Sequence, residues 1–255
     1  MTQFKMRAVQ LDLARQMESL DYCRHFMDML SENGYNAVLL YLEDRIITKS
    51  YPDPAPNEAY SCDQIRELVA YAASKRLEII PCVATLGHAE RFLRFPRLQH
   101  LAEVRDGIKG RFGGDSKQTF CVSKPEFYDF IFAYIREVAE LFPSQYFHVG
   151  LDEFFDFNLC DLCRKAAPDF RSEEKLFLGH VLKVHDFLKS IGKRSLRPIP
   201  LCSVFVYIFS ELHRTLRTLI IFITLILYHD SDVKSINQAL IFSNRRLQYQ
   251  NKRKK

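Results

Sequence analysis

A chain of 255 residues that is 47% hydrophobic and 26% charged can bury a sizeable core, which excludes a disordered or fibrous protein. The net charge of +5 is unevenly placed: residues 194–255 hold eleven Lys or Arg against three acids, whereas residues 1–193 hold 25 basic and 28 acidic residues. The basic character therefore belongs to the tail, and no nucleic-acid partner is expected for the body.

Seven cysteines form an odd set, and the start Met1-Thr2-Gln3-Phe4-Lys5-Met6-Arg7 has no long apolar run. Both features point to reduced thiols, no export signal and a cytoplasmic location. Met6 to Leu13 reads as a strand. Ser19 to Asn33 reads as a helix with Leu20, Cys23, Met27 and Leu30 on one face and Gly34 as its stop. Ala37 to Leu42 is a nearly continuous apolar run, the pattern of a buried parallel strand. Ser61-Cys62-Asp63-Gln64 is a capping box for a helix reaching about Lys75, and Leu77 to Ala84 is the next buried strand. Ser123-Lys124-Pro125-Glu126 reads as a second capping box, with proline at the first helical position of a helix reaching about Phe142. Gln145 to Val149 is a short strand, and Ser172 to Ile191 a helix with Glu173 and Glu174 in its first turn and Gly192 beyond its end.

Four β-α repeats call for a parallel sheet, and a (β/α)8 TIM-barrel of about 250 residues is one closed form of it. The pattern stops near Arg194. The 62 residues left cannot supply four more units of roughly 30 residues each, so an incomplete barrel over residues 1–194 is expected, followed by a divergent tail over 195–255. Its open sheet edges are candidates for self-association. In the tail, Leu201 to Phe209 and Thr218 to Tyr228 are apolar, but both fall short of the about 20 residues that span a bilayer, and a membrane role is not favoured. Asn244 to Lys255 is polar, basic and expected to be disordered.

Ligands of parallel sheets bind where strands end at their carboxyl side. Arg15 follows the first strand, Glu43 and Asp44 the second, Thr85 to His88 the third, and Asp152 and Glu153 the fourth. Two adjacent carboxylates raise the pKa of one of them, giving the neutral acid beside an ionised partner that glycoside hydrolysis uses; the competing reading is an ordinary acidic strand end. Arg15 offers a planar fork of donors for hydroxyls, or else pairs with a neighbouring loop acid. His88 either donates to a sugar hydroxyl or is a surface loop histidine. Asp44 either accepts from vicinal hydroxyls or is solvated. Cys160-Asp161-Leu162-Cys163 has metal or redox spacing, but no second pair follows it; His180 and His185 are the candidate completions, and two free thiols the favoured reading.

Four segments together resemble glycoside hydrolase family 20, the β-N-acetylhexosaminidases: Arg7-Ala8-Val9-Gln10-Leu11-Asp12-Leu13-Ala14-Arg15, Tyr41-Leu42-Glu43-Asp44, Ile80-Pro81-Cys82-Val83-Ala84-Thr85-Leu86-Gly87-His88, and Tyr146-Phe147-His148-Val149-Gly150-Leu151-Asp152-Glu153. Their order and spacing agree over residues 5–193. The resemblance implies a hydrolase that removes terminal N-acetylhexosamine from a glycan or glycoside. It implies Glu153 as general acid/base, Asp152 as the residue orienting the substrate's 2-acetamido nucleophile, Arg15 as a hydroxyl binder, and Asp44, His88 and His148 as residues lining or bracing the pocket. No metal or organic cofactor is implied. The chain departs from the family pattern at Gly150-Leu151, where the family has Gly-Gly, and in having no tryptophan. With the later strands unrecognisable, low activity is expected. The alternatives are an inactive sugar-binding fragment, or a membrane-associated or self-assembling protein acting through the tail.

Overall fold

Parallel strands succeed one another across the sheet in chain order, which places all their carboxyl ends on one side. The computed structural model describes residues 5–196 apart from 106 and 116. The strands are β1 (Ala8–Asp12), β2 (Ala37–Tyr41), β3 (Glu78–Cys82), β4 (Tyr146–His148) and β5 (Arg194–Leu196). The helices are α1 (Leu20–Glu32), α2 (Cys62–Ser74), α3 (Glu90–Leu93), α4 (Pro125–Leu141), α5 (Asp161–Ala166) and α6 (Phe170–Ser190).

Alternation along β2 and β3 separates two apolar surfaces. Val38, Leu40, Leu42, Ile79 and Val83 face the helices and join their core. Ala37, Leu39, Tyr41, Ile80, Cys82 and Ala84 form a second cluster that contains no helical residue. Helices on one face, an apolar layer without helical residues on the other and no reversal of strand order are the marks of a barrel wall rather than a doubly wound sheet. The helix side is filled by aromatic rings. Tyr51, Phe92, Phe120, Phe127 and Tyr134 are all buried, with Phe120 and Phe127 stacked at 4.7 Å and Tyr51 and Phe92 tilted against each other at 5.0 Å.

Three expectations change. A fifth strand lies beside β4, where the sequence pattern ends at four; Arg194-Ser195-Leu196 has one apolar residue and no period to read. Ser123 does not cap α4: Lys124 occupies the N-cap without a side-chain bond, and the Ser123 hydroxyl instead accepts from Cys163 at 3.1 Å. Helix α6 starts before Ser172, with Asp169 as N-cap and Ser172 as the third residue of a capping box. The Ser61–Gln64 box stands as read. The tail readings, including its apolar runs, lie outside the described residues. Among the described residues no helix is long and apolar enough to cross a membrane.

Two glycines set the distance between the β3 and β4 ends. Gly150 has φ +68°, and a Cβ there would sit 2.7 Å from Ala84 Cα. A Cβ on Gly87 would sit 2.4 Å from the Asp152 carbonyl oxygen. Gly150→Ala is therefore expected to destabilise the fold by about 2–4 kcal/mol, from left-handed backbone strain and overpacking. Gly179→Ala, inside α6 with no atom within 4 Å of the new methyl, is expected to stabilise by about 0.5–1 kcal/mol. Urea unfolding of both variants beside the parent chain measures the contrast, and equal effects would refute the close-approach argument.

Candidate active site

The parallel register aligns Asp12, Tyr41, Cys82, His148 and Leu196 in one row. Each candidate residue except His148, which belongs to the row, lies a few positions beyond it. Sequence-distant loops are thus delivered to one end of the sheet by strand register alone.

Arg15 is placed by a turn. The Asp12 carboxylate accepts from the Ala14 and Arg15 amides at 2.9 and 3.1 Å. The buried Arg45 guanidinium donates to the Leu13 and Ala14 carbonyls at 2.8 and 2.6 Å, so the turn is pinned from below. Arg15 then donates to the Glu43 carboxylate and to Nδ1 of His88, the latter at 2.6 Å. A guanidinium only donates, so Nδ1 of His88 accepts and the ring proton belongs on Nε2. That nitrogen lies 3.3 Å from Asp152 Oδ2 and 3.5 Å from Glu153 Oε2. One line of groups therefore runs Glu43, Arg15, His88, Asp152, with Glu153 beside its end.

Burial acts differently along this line. Burial pushes Glu43 up to about 7 against the pull of Arg15. Burial opposes a charge on His88, but the hydrogen bond and negative charge of Asp152 outweigh it and raise His88. Burial also pushes Asp152 up, yet the bond and charge of His88 prevail and hold its carboxyl below the ordinary value. Asp152 is accordingly ionised near neutral pH, and the Glu153 side chain is half exposed at 51%. His148 sits beneath: its Nδ1 accepts from the Gly150 amide at 3.3 Å and lies 2.9 Å from the Cys82 sulfur. Burial lowers His148 to about 4, so the ring is neutral and braces the β4 end.

The structure thus brings Arg15, His88, His148, Asp152 and Glu153 together. Asp44 is the correction. Its side chain is fully buried and turned toward the helices, held by Arg91, by the Tyr51 hydroxyl at 3.2 Å and by Arg94 at 3.7 Å, so it is neither solvated nor open to hydroxyls. Glu43 takes the position beside Arg15 instead. The division follows the alternation of β2, in which Tyr41 lies on the face away from the helices and Leu42 on the helix face; Glu43 also has a positive φ of +46°. His88, Leu151 and Glu153 also have positive φ, at 53°, 87° and 48°. Strained backbone of this kind gathers where surrounding packing fixes a functional geometry. Leu151, at the Gly-Gly position, holds φ +87°, a conformation that suits glycine and is costly for leucine, with its side chain buried. Sequence reasoning also passed over Tyr41, which is buried under Arg15 with the guanidinium 5.2 Å from its ring centre. Its place as the last residue of an apolar strand was the available signal.

Two groups of ligand-type side chains lie close together among the described residues: Glu43, His88 and Glu90, and Glu103, Cys121, Cys160 and Cys163. In the first, Arg15 already engages Glu43 and His88 through hydrogen bonds, which occupies those ligand atoms. His180 and His185 join neither group. His180 lies between Thr85 and Tyr128, and His185 lies 2.9 Å from the Ser195 hydroxyl.

Residues 4–197 match the catalytic domain of Glycosyl hydrolase family 20. The chain belongs to this family. It is 30% identical over 188 residues to Hexosaminidase D of Bos taurus, covering 72% of this chain and 52% of the bovine protein. The crystal structure of β-N-acetylhexosaminidase from Bacteroides fragilis is 27% identical, with a TM-score of 0.60 over 76% of this chain and 41% of that one. The exo-β-N-acetylglucosaminidase from Vibrio harveyi, solved in complex with N-acetylglucosamine, is 25% identical, with a TM-score of 0.64 over 76% of this chain and 35% of that one. The chain therefore spans about half the length of the bovine relative and less of the others. The TIM-barrel reading of the sheet agrees with these structures.

Glu43 yields a prediction with a definite sign. Its carboxyl titrates higher in the fold than in the unfolded chain, so its contribution is fully present below about pH 4.5 and is lost as pH rises through about 7. The melting temperature of Glu43→Gln minus that of the parent is therefore expected to increase between pH 4.5 and 8. A difference that stays flat across that range, measured by thermal unfolding, would contradict the burial argument.

Proposed function

We propose that this chain carries the acid/base half of a glycosidase that removes terminal β-linked N-acetylhexosamine, using the substrate's own acetamido oxygen as nucleophile. One observation supports this reading above the rest: His88 holds Asp152 ionised while the adjacent Glu153 carboxyl is half exposed at the same sheet end. Glu153 protonates the leaving oxygen and then takes a proton from water. Asp152 accepts from the acetamido N–H, aligns its carbonyl oxygen with the anomeric carbon and balances the oxazolinium-like charge. Arg15, set by Glu43 and His88, has donors left for hydroxyls of the terminal sugar. The solved complex of the Vibrio harveyi relative with N-acetylglucosamine supports the substrate class.

The chain has no tryptophan, so apolar contact with a sugar falls to other rings. Phe155, two residues past Glu153, meets Phe112 edge-on at 5.4 Å, and both are exposed. The described residues offer walls from five strands only. Positioning of reacting groups supplies up to about 7–11 kcal/mol of a barrier, so slow turnover is expected.

The test is hydrolysis of a chromogenic N-acetyl-β-glucosaminide beside the matching β-glucoside. The first is expected to react and the second, lacking the acetamido group, not to. Glu153→Gln is expected to lower kcat by about 10²–10⁴. Equal hydrolysis of both compounds, or turnover insensitive to Glu153→Gln, would sink the proposal.

A further inference from the structure

The group Glu103, Cys121, Cys160 and Cys163 lies apart from the chemistry just described. Its members come from two segments far apart in sequence. Glu103 and Cys121 belong to the long excursion between β3 and α4, whose two arms are joined by Glu103 N to Thr119 O at 2.8 Å and Cys121 N to Leu101 O at 2.8 Å. Cys160 and Cys163 belong to the segment that follows Glu153, with Cys160 as the N-cap of α5. All four side chains are buried, at 0–1% exposure.

We propose that these four residues bind one zinc ion as a closed structural site. The Cys121 sulfur lies 3.5 Å from that of Cys160 and 3.7 Å from that of Cys163. Cys163 Sγ lies 3.2 Å from Glu103 Oε2, and all four ligand atoms fall within 4.8 Å of one another. Zinc–sulfur bonds of about 2.3 Å and zinc–oxygen bonds of about 2.1 Å place tetrahedral sulfurs about 3.8 Å from one another and about 3.6 Å from the oxygen, so the cluster is already near the required size. Three soft sulfurs and one carboxylate oxygen suit zinc over magnesium or calcium.

The surroundings orient the ligands as a metal site requires. Glu103 Oε1 accepts from the Leu159 and Cys160 amides, both at 2.8 Å, which leaves Oε2 facing the sulfurs. The Cys163 amide donates to the Cys160 sulfur at 3.5 Å, the turn that Cys-x-x-Cys spacing makes at a helix start. Ser123 supports Cys163 from the other side. The Arg105 guanidinium interacts with Cys121 and Cys160 and offsets part of the negative charge that three thiolates and a buried carboxylate carry, and a divalent cation offsets most of the rest. Binding releases the three thiol protons to solvent, leaves the ion four-coordinate and involves no redox step. The ion ties the segment after Glu153 to the excursion that begins beside His88. It holds both sides of the site in register without touching substrate.

The test uses the full chain purified in reductant with zinc supplied, and does not depend on hydrolysis. Elemental analysis is expected to give about one zinc per chain, retained through gel filtration. Cobalt substitution is expected to give the intense visible bands and thiolate charge-transfer of a tetrahedral thiolate site. Cys121→Ser and Cys163→Ser are expected to lose zinc by about tenfold or more, while Cys62→Ser, outside the cluster, keeps it. Where a variant does not fold, the parent chain still decides: chelator lowers its melting temperature and added zinc restores it. A folded parent chain without zinc, cobalt spectra lacking thiolate bands, unchanged zinc content in Cys121→Ser, or a Cys121–Cys160 disulfide in reductant would each overturn the proposal.

Discussion

The ends of β3 and β4 approach more closely than two chains with side chains can. Gly150 lies against the Ala84 backbone, and Gly87 lies under the backbone of Asp152 to Phe154. That approach brings the His88 ring within reach of both Asp152 and Glu153, residues more than sixty positions away in the chain. Packing of this density leaves no room for adjustment by small steps, because interiors are filled like crystals. The positive φ angles of His88, Leu151 and Glu153 follow from the same crowding: the backbone turns sharply to leave the strands without separating them.

The electrostatics build outward from that contact. Glu43 is buried, Arg15 is half exposed and the Asp152 side chain is 49% exposed, so the line of groups runs from the interior to solvent. Charge at the inner end is disfavoured by burial, and charge at the outer end is sustained by partners. The arrangement keeps Arg15 and His88 oriented through bonds to neighbours other than substrate. On the opposite side of the same turn, Asp44 anchors Arg91 and Arg94 and fixes α3 to β2. Two adjacent acids thus serve a site and a scaffold, one on each side of the strand end.

The segment beyond Glu153 needs its own restraint, since it leaves the sheet after only three residues of β4. Part of that restraint is visible in Asp156, which accepts from the Arg111 amide at 2.7 Å, and part in Glu103, which accepts from Leu159 and Cys160. The cysteine cluster lies at the far end of this segment. A cross-link there is well placed to stiffen it, because it joins two long loops that no strand pairing connects.

The order of β1 to β4 and of the long helices α1, α2, α4 and α6, the apolar runs of β2 and β3, the Ser61 cap and the strand-end positions of Arg15, His88, Asp152 and Glu153 were legible in the amino-acid sequence. Periodicity, capping and turn chemistry are local and survive in one dimension. Both Glu43 and Asp44 were candidates from the sequence, and only the pairing of one with Arg15 and the other with Arg91 shows which of them faces the site. The sequence could not show β5, which is too short to carry a period. It offered Cys160 and Cys163 only His180 and His185, or no partner, since Glu103 and Cys121 reach them through the folded excursion after β3. Proximity across 40 or more residues is decided by strand register and close packing, and only the tertiary structure records it.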